Sequence, residues 1–375
     1  MKNLLQRFGL DGFILSLFGA IFLAWLYPYF GAKKGTFSLS TLANLGVSLI
    51  FFFYGLRLNW EKIRIGLSNM RMHAVVMTST FLLFPILVLA VMSVSGVTPT
   101  HKDVLALQAR AESGSVETAA QTSASASGEN AAESLEAQSI RTGIWLGIFF
   151  LAALPSTVSS SVVMTNIARG NDPAAIFDAS ISSLIGVFLT PLWMRLFIDS
   201  SSGGRDLGPV LVSLIIQVIA PVCLGVFANR YWGEFSRRNS ALLRKFDQST
   251  IVLIVYVSFC SSFAEKMFDG LSAAALFWLT VGMVALFFTV FFIILTVCKA
   301  LRFNREDTIA TLFCGSKKSL VHGAAMSRVI LSAPKMAGIL ILPTMIYHAM
   351  QLIVVSIIAQ RFAKDAEKKE ITQEE

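Results

Sequence analysis

Ten long apolar segments dominate this chain and restrict it to one class of fold. Each can cross the hydrocarbon core of a bilayer, which needs about 20 mostly apolar residues in helical form. Because hydrocarbon offers no partner for a backbone amide or carbonyl, the segments must form helices that satisfy their own hydrogen bonds. The sequence therefore predicts an all-α polytopic membrane protein with spans at 11–30, 38–56, 71–95, 142–167, 174–198, 208–229, 249–266, 272–298, 308–331 and 336–360.

A single membrane domain accounts for residues 1–375. Only 14% of the residues are charged and 55% are hydrophobic, whereas about 25% are charged in an ordinary soluble domain. Five spans fall in a first half, 1–200, and five in a second, 206–362. Residues 98–140 are rich in Ala, Ser, Glu and Thr and carry no aromatic residue, so we expect a disordered extracytoplasmic insert there. Residues 363–375 form a charged cytoplasmic tail.

Basic residues fix the expected orientation. Most Lys and Arg residues near span ends fall on one side if the N-terminus is placed in the cytoplasm, and the positive-inside rule favours that arrangement. Both termini are then cytoplasmic. The net charge of +8 is explained by topology and not by nucleic-acid binding. The four cysteines lie inside apolar segments without paired spacing, which argues against disulfides and zinc.

Two spans are interrupted at matching positions, the fourth of each half. The fourth span contains Pro155, followed by Ser156–Ser161, and the ninth contains Gly315–Ser319. Proline removes an amide donor, and hydroxyl side chains offer the freed backbone groups alternative partners. Paired interruptions of this kind are typical of inverted-repeat transporters, whose binding site lies at the midplane. A serine-rich segment that serves only close helix packing is the alternative for the fourth span.

Charged residues within the apolar segments add to the site prediction. Lys317 and Lys318 lie near the centre of the ninth span, where each costs roughly 2.5–3.5 kcal/mol on the insertion scale. Asp178 lies in the fifth span, and a buried acid usually has a basic partner, for which either lysine is the candidate. The alternatives are a cytoplasmic loop for the lysines and a hydrated position near the interface for Asp178.

Enzyme chemistry finds no support in the sequence. There is no Gly-x-Ser-Gly nucleophile motif and no His-Glu-x-x-His motif. Asp178 has no second intramembrane aspartate with which to form a catalytic pair. We therefore expect neither an enzyme nor a bound cofactor, apart from Na⁺ or H⁺ as a coupling ion.

Several of these residues resemble the bile acid:sodium symporter family, part of solute carrier family 10. The likeness rests on Phe53–Leu58, Pro85 and Met164–Asn171, and above all on the FCGSKKSL stretch at Phe313–Leu320. That stretch resembles the bacterial branch related to the seventh mammalian member, and it favours a bacterial inner membrane. The resemblance implies about ten helices in two inverted five-helix repeats, with a panel, a core, and broken fourth and ninth helices that cross.

The same resemblance implies sodium ligands, most of which are altered here. In sodium-coupled members the ninth helix carries a Glu and, four residues later, a Gln-Asn pair. The corresponding positions in this chain are Phe313, Lys317 and Lys318, and the other ligand positions fall near Thr80, Ser161, Val162, Ala175 and Ala179. An ammonium group is a compact charge comparable to Na⁺. We therefore hypothesise that Lys317 occupies one cation site, so that sodium coupling is lost or replaced by protonation.

The competing hypothesis keeps one sodium site, built from hydroxyl groups of the fourth span with Asp178 as counter-charge. In both cases we predict a secondary transporter for a small organic, anionic solute, acting as a monomer or weak homo-oligomer in the lipid bilayer. A non-transporting regulatory membrane protein is the alternative function. The predicted binding residues are Thr80, Ser159, Ser160, Ser161, Thr165, Asp178, Ser182, Ser183, Ser316, Lys317, Lys318 and Ser319, of which Ser159, Ser160, Ser161 and Thr165 are the sodium candidates.

Overall fold

The computed structural model describes residues 12–32, 38–57, 69–99, 103–104, 107, 128–198, 216, 219–264, 271–330 and 337–374. In this part of the chain all regular structure is helical. The helices are α1 (Gly12–Leu26), α2 (Pro28–Ala32), α3 (Leu39–Leu56), α4 (Met70–Val94), α5 (Gly128–Ala153), α6 (Ser159–Ile167), α7 (Asp172–Ile198), α8 (Ala220–Arg238), α9 (Ser240–Ala264), α10 (Ala273–Ala300), α11 (Arg305–Gly315), α12 (Leu320–Ile330) and α13 (Ala337–Glu374).

Six of these helices, α3, α4, α7, α9, α10 and α13, are long and apolar enough to cross a membrane. A shorter apolar stretch follows in α1, at Leu15–Leu26. Many large apolar side chains point outwards, among them Trp278 and Phe227, as expected for a surface that faces lipid. The prediction of an all-α polytopic membrane protein is confirmed at this level. The arrangement of ten spans in two inverted repeats stays a prediction.

The predicted insert is shorter than expected at its C-terminal side. Helix α5 begins at Gly128, so 128–140 are helical and not an irregular loop. The reason is local: Ala, Glu, Leu and Gln in this segment are strong helix formers. Residues 108–127 lie outside the described residues, as does the start of the span expected at 208–229.

The helices pack in two groups. The first helix group consists of α1, α2, α3, α8 and α9, and the second of α4–α7 and α10–α13. Within the first group, α3 and α8 approach closely enough for Gly55 to pack on the Val222 carbonyl and Gly225 on the Phe52 carbonyl. A side chain at either glycine would separate the two helices. The groups meet where α9 packs against α12 and α13.

Helix α4 is irregular in its middle. It contains a π-helical turn, Ser79–Leu83, just before Pro85. Because Pro85 has no amide, the Phe81 carbonyl lacks its usual helical donor. The indole of Trp193 on α7 donates to that carbonyl instead, at 2.8 Å. A sequence-imposed defect in one helix is therefore repaired by a neighbouring helix.

The two predicted interruptions lie against each other within the second group. One separates α5 from α6 and the other separates α11 from α12. The Ser319 amide of the second break donates to the Pro155 carbonyl of the first, at 2.9 Å. Non-helical backbone at membrane depth needs protein partners of this kind, because lipid supplies none.

Candidate functional site

Lys318 ends in a cage of main-chain carbonyl oxygens. Its fully buried Nζ atom donates to the carbonyls of Thr80 (2.7 Å), Ala152 (2.7 Å) and Leu154 (2.8 Å). The same atom lies 4.1 Å from the centre of the Phe84 ring. Three charge-assisted hydrogen bonds use all three donors of the ammonium group, and the aromatic ring adds a cation–π contact. We call the oxygens of Thr80, Ala152 and Leu154 the carbonyl cage.

One cage oxygen is available because of the π-helical turn. In that turn the Phe84 amide donates to the Ser79 carbonyl, five residues earlier. An α-helix would have used the Thr80 carbonyl instead. The Thr80 carbonyl is thereby left for Lys318. Thr80 is one of the predicted binding residues, but its hydroxyl is buried and has no partner in the described part of the chain.

The other two cage oxygens lie at the end of α5. The last carbonyls of a helix have no partner within it, and the negative end of the helix dipole attracts a cation. Pro155 stops the helix, so that the Ala152 and Leu154 carbonyls point free of it. The Ala153 carbonyl between them accepts from the Thr190 hydroxyl at 2.8 Å. These two oxygens are therefore supplied by the helix break and not by any side-chain ligand.

Helix α13 stabilises the non-helical segment that carries Lys317 and Lys318. Gln351 accepts from the Lys318 amide (2.9 Å) and donates to the Lys318 carbonyl (2.8 Å). The Tyr347 hydroxyl donates to the Ser316 carbonyl at 2.7 Å. These contacts satisfy backbone groups that have left the helix, and they give the segment a fixed shape.

Lys317 has different surroundings from its neighbour. Its side chain is fully buried, yet among the described residues its ammonium group has one hydrogen-bond partner, the Ser160 hydroxyl at 3.3 Å. Two of its three donors are therefore left without a partner in the described part of the chain. Ser160 itself is partly exposed. The result is a buried cation in contact with a partly exposed residue.

The start of α6 lies beside this ammonium group. Its cap residue, Val158, provides no side-chain acceptor, and the first helical hydrogen bond runs from Val162 back to Val158. The amides of Ser159, Ser160 and Ser161 precede that bond. The start of α12 differs, because the Ser319 hydroxyl accepts from the His322 amide at 3.3 Å. Only α6, of these two helices, has a first turn without a side-chain cap.

Most of the other predicted hydroxyls are engaged within the protein. Ser161, Thr165, Ser183 and Ser316 donate to the carbonyls of Phe313 (3.0 Å), Ser161 (2.9 Å), Ala179 (2.9 Å) and Leu312 (2.6 Å). Ser182 accepts from the Ser156 amide at 3.0 Å, and Ser319 contacts His322 at 2.9 Å. The Ser159 side chain lies outside the described part. These residues shape the crossing of the two breaks and leave few free polar atoms there.

Asp178 does not pair with either lysine, and that expectation is wrong. Its Oδ1 atom lies 2.8 Å from Nδ1 of His73, and both side chains are buried. The second carboxylate oxygen, Oδ2, has no partner among the described residues. His73 was missed because it lies near the expected start of the third span, where a polar residue needs no explanation. The available signal was an acid within an apolar span, which calls for a basic group opposite it.

Comparison with known proteins decides the family. The profile of the SBF-like CPA transporter family matches residues 11–364. The chain belongs to this family. The prediction of a transporter and not an enzyme is thereby confirmed, as is the resemblance to the bile acid:sodium symporters.

Individual relatives agree with the family assignment. An uncharacterised protein of Pseudomonas aeruginosa is 33% identical over 96% of this chain and 94% of its own length. YfeH of Escherichia coli, described provisionally as a symporter, is 30% identical over 97% of this chain and 96% of its own. Sodium/bile acid cotransporter 7 of Xenopus tropicalis is 25% identical over 95% and 92%. The likeness of this SBF-like family member to bacterial and animal relatives therefore extends over most of each chain.

Proposed function

We propose that this SBF-like transporter is a secondary transporter that moves an organic anion by alternating access, with the anionic head group bound at Lys317. The observation that supports the proposal is a fully buried ammonium group next to the partly exposed Ser160, with two donors that no described residue uses. A buried cation that lacks a paired counter-charge among the described residues is costly. An anion that binds there and leaves again would supply that counter-charge during transport.

The first turn of α6 adds to the attraction for an anion. Its uncapped amides carry the partial positive charge of the helix dipole. Together with the Lys317 ammonium group they suit a carboxylate, a sulfate or a similar head group. The Ser160 hydroxyl can rotate to donate to the same group. Its oxygen lies 2.8 Å from the Thr157 hydroxyl and 3.3 Å from the Lys317 ammonium group.

Lys318 has a separate role in this proposal, as a tethered cation. The sequence-based hypothesis gave that role to Lys317, but the carbonyl cage surrounds Lys318. The relatives named as sodium/bile acid cotransporters raise the question of a sodium ion here. The cage does not fit one, because its three oxygens already accept from the ammonium group. Phe313, Ala175 and Ala179 add no oxygen ligand to the crossing, so we derive no step that uses sodium.

The arrangement around this site follows from the same proposal. We infer ten spans in two inverted repeats, in the inner membrane of a bacterium and with both termini in the cytoplasm. The two groups of packed helices suit alternating access, in which one group moves against the other around a central site. A monomer or weak homo-oligomer suffices, because the residues of the site come from one chain.

Flux into proteoliposomes tests the function. We would measure uptake of radiolabelled carboxylates and sulfates, including a bile acid, by the wild type, Lys317→Gln and Lys299→Gln. Lys299 is exposed at the end of α10, so its variant loses the same charge without altering the site. We expect flux of at least one anion in the wild type and in Lys299→Gln, and loss of that flux in Lys317→Gln.

Two results would contradict the proposal. Equal flux in Lys317→Gln and the wild type would exclude Lys317 as the anion site. Binding of an anion without any flux, measured by calorimetry on the purified protein, would favour the non-transporting regulatory function.

A further inference from the structure

The second polar centre of the protein is the buried pair of His73 on α4 and Asp178 on α7. The two side chains meet at 2.8 Å, and the His73 ring packs on the Phe177 ring with centroids 4.4 Å apart. His73 is 4% exposed and Asp178 is 0% exposed. The function proposed above makes no use of this pair. An ionisable pair at this depth is a functional site by default, because its burial is costly.

The surroundings of the pair suit a proton better than a metal ion. A hydrophobic cluster includes residues close to the pair on α4 and α7, together with residues of α11. Its members are Met72 and Val76 on α4, Ala174 and Ala175 on α7, and Ala310 and Cys314 on α11. These side chains supply methyl groups and a thiol in place of oxygen ligands. The unpartnered Oδ2 atom of Asp178 offers a lone pair, which is all that a proton needs.

Other titratable groups approach the pair from three elements. From α11, the Cys314 thiol donates to the Ala175 carbonyl at 3.7 Å, three residues before Asp178, and Asp307 accepts from Asn69 (2.6 Å) one turn before His73. From α3, the Tyr54 hydroxyl lies 3.5 Å from the Ser180 carbonyl, two residues after Asp178. From the second break, Lys317 follows Cys314 by three residues. Helix α11 therefore packs beside the pair and leads directly into the break that carries the anion-binding ammonium group.

That helix connects the pair to the anion site. In a low-dielectric interior two negative charges oppose each other beyond direct contact, so a carboxylate at Asp178 opposes the entry of an anion at Lys317. When the pair takes up a proton, on Oδ2 of Asp178 or on the imidazole, it loses one negative charge and the repulsion disappears. Coupling between two sites is reciprocal, so a bound anion strengthens proton binding by the same factor.

We propose that His73 and Asp178 form the proton-binding site of this transporter, and that the proton crosses together with the anion. Proton binding by the pair does not depend on the proposed function, whereas its crossing together with the anion rests on it. One proton and one monovalent anion carry no net charge. Transport is then driven by a pH gradient and not by the membrane potential.

Histidine NMR tests proton binding without any transported solute. The chain has four histidines, His73, His101, His322 and His348, so ¹⁵N-histidine labelling yields few ring signals, and His73→Gln identifies that of His73. We expect the His73 signal to change protonation state or tautomer between about pH 5 and about pH 8. In Asp178→Asn the ring loses its acidic partner and should keep one state throughout. A wild-type signal without pH response, or an identical response in Asp178→Asn, would overturn the proposal.

Flux experiments test the coupling. In proteoliposomes, we expect wild type and the control Asp247→Asn to accumulate anion when the outside is acidic. Asp247 is another partly buried carboxylate, 2.6 Å from Arg57, in the first helix group. Asp178→Asn should lose gradient-driven accumulation and keep counterflow of labelled against unlabelled anion, which also shows that the variant is folded.

The outcomes separate the two proposals. Gradient-driven accumulation by Asp178→Asn at the wild-type level would refute proton coupling through the pair and leave anion transport intact. No counterflow in the wild type, together with a normal His73 response, would refute anion transport and support the proton site.

Discussion

Lys317 and Lys318 are neighbours in the chain, yet their ammonium groups have opposite surroundings. Lys318 uses all three donors on the carbonyl cage, whereas Lys317 has one partner at 3.3 Å. Adjacent residues outside a helix point in different directions, so the non-helical backbone of 316–319 is what separates the two roles. This difference is the basis of the separate roles proposed for the two lysines.

At this scale the sequence could predict that a cation lies at the crossing but not which residue supplies it. The two lysines are chemically identical, and the decision depends on the Thr80 carbonyl, which only the π-helical turn frees. The partner of Asp178 was hidden for a similar reason. His73 is separated from it by more than a hundred residues, and no local pattern connects them.

Replacing Lys318 by Ser should convert the tethered cation into a vacant cage. Each carbonyl left without a donor costs about 1–3 kcal/mol, so we expect a lower unfolding temperature than in the wild type. Na⁺ should then stabilise Lys318→Ser more than K⁺ does, since a cation at ten times its Kd adds about 1.4 kcal/mol. Thermal unfolding in NaCl and KCl at equal ionic strength measures both effects.

The control for this experiment is Lys299→Ser, which removes an exposed ammonium group. It should match the wild type in both salts. Specific stabilisation of the wild type by Na⁺ would contradict the tethered-cation role and favour the sodium site at Ser159, Ser160, Ser161 and Thr165.

At the scale of the helix, the defects of α4, α5 and α11 depend on one another. The π-helical turn of α4 and the end of α5 supply oxygens to one lysine of the second break. Pro155 and the Gly315–Ser319 segment were readable as breaks, because proline and glycine interrupt helices by their own chemistry. The π-helical turn was not, since Pro85 is compatible with several local repairs. Sequence thus predicts where a helix is weak, and packing decides how it is repaired.

Trp193 tests the repair of α4. Trp193→Phe removes the indole donor to the Phe81 carbonyl and keeps an aromatic ring in the same place. We expect a loss of about 1–3 kcal/mol, the cost of one buried acceptor left unsatisfied. Trp278→Phe, at an outward-facing position that is 68% exposed, should change stability little. Equal unfolding temperatures for the two variants would show that the Phe81 carbonyl finds another donor.

At the scale of the whole molecule, the second helix group is tied together at one end. Asp307 at the start of α11 accepts from Asn69, which precedes α4, and from Asn171 in the turn before α7 (2.7 Å). Arg305 donates to the carbonyls of Ala168 (3.2 Å) and Phe362 (2.6 Å), which extends the network to α13. Because this network joins α4, α7, α11 and α13, we expect these helices to move together, with the proposed proton pair and anion site among them.

Inverted repeats require an odd number of spans in each half, and this gives the last prediction. With five spans in 1–200 and the N-terminus in the cytoplasm, a reporter fused after Gly204 lies outside the cytoplasm, and one fused after Gly170 or at the C-terminus lies inside. We expect alkaline phosphatase, which folds only outside the cytoplasm, to be active at the first position alone, and green fluorescent protein to show the reverse pattern.

The basic residues on the cytoplasmic side make this orientation the favoured one. The fusion after Gly170 is the matched control, because only the fifth span, α7, separates it from Gly204. Phosphatase activity at Gly170 and the C-terminus but not at Gly204 would reverse the orientation. Phosphatase activity at both Gly204 and Gly170, or at both Gly204 and the C-terminus, would exclude two inverted halves of five spans.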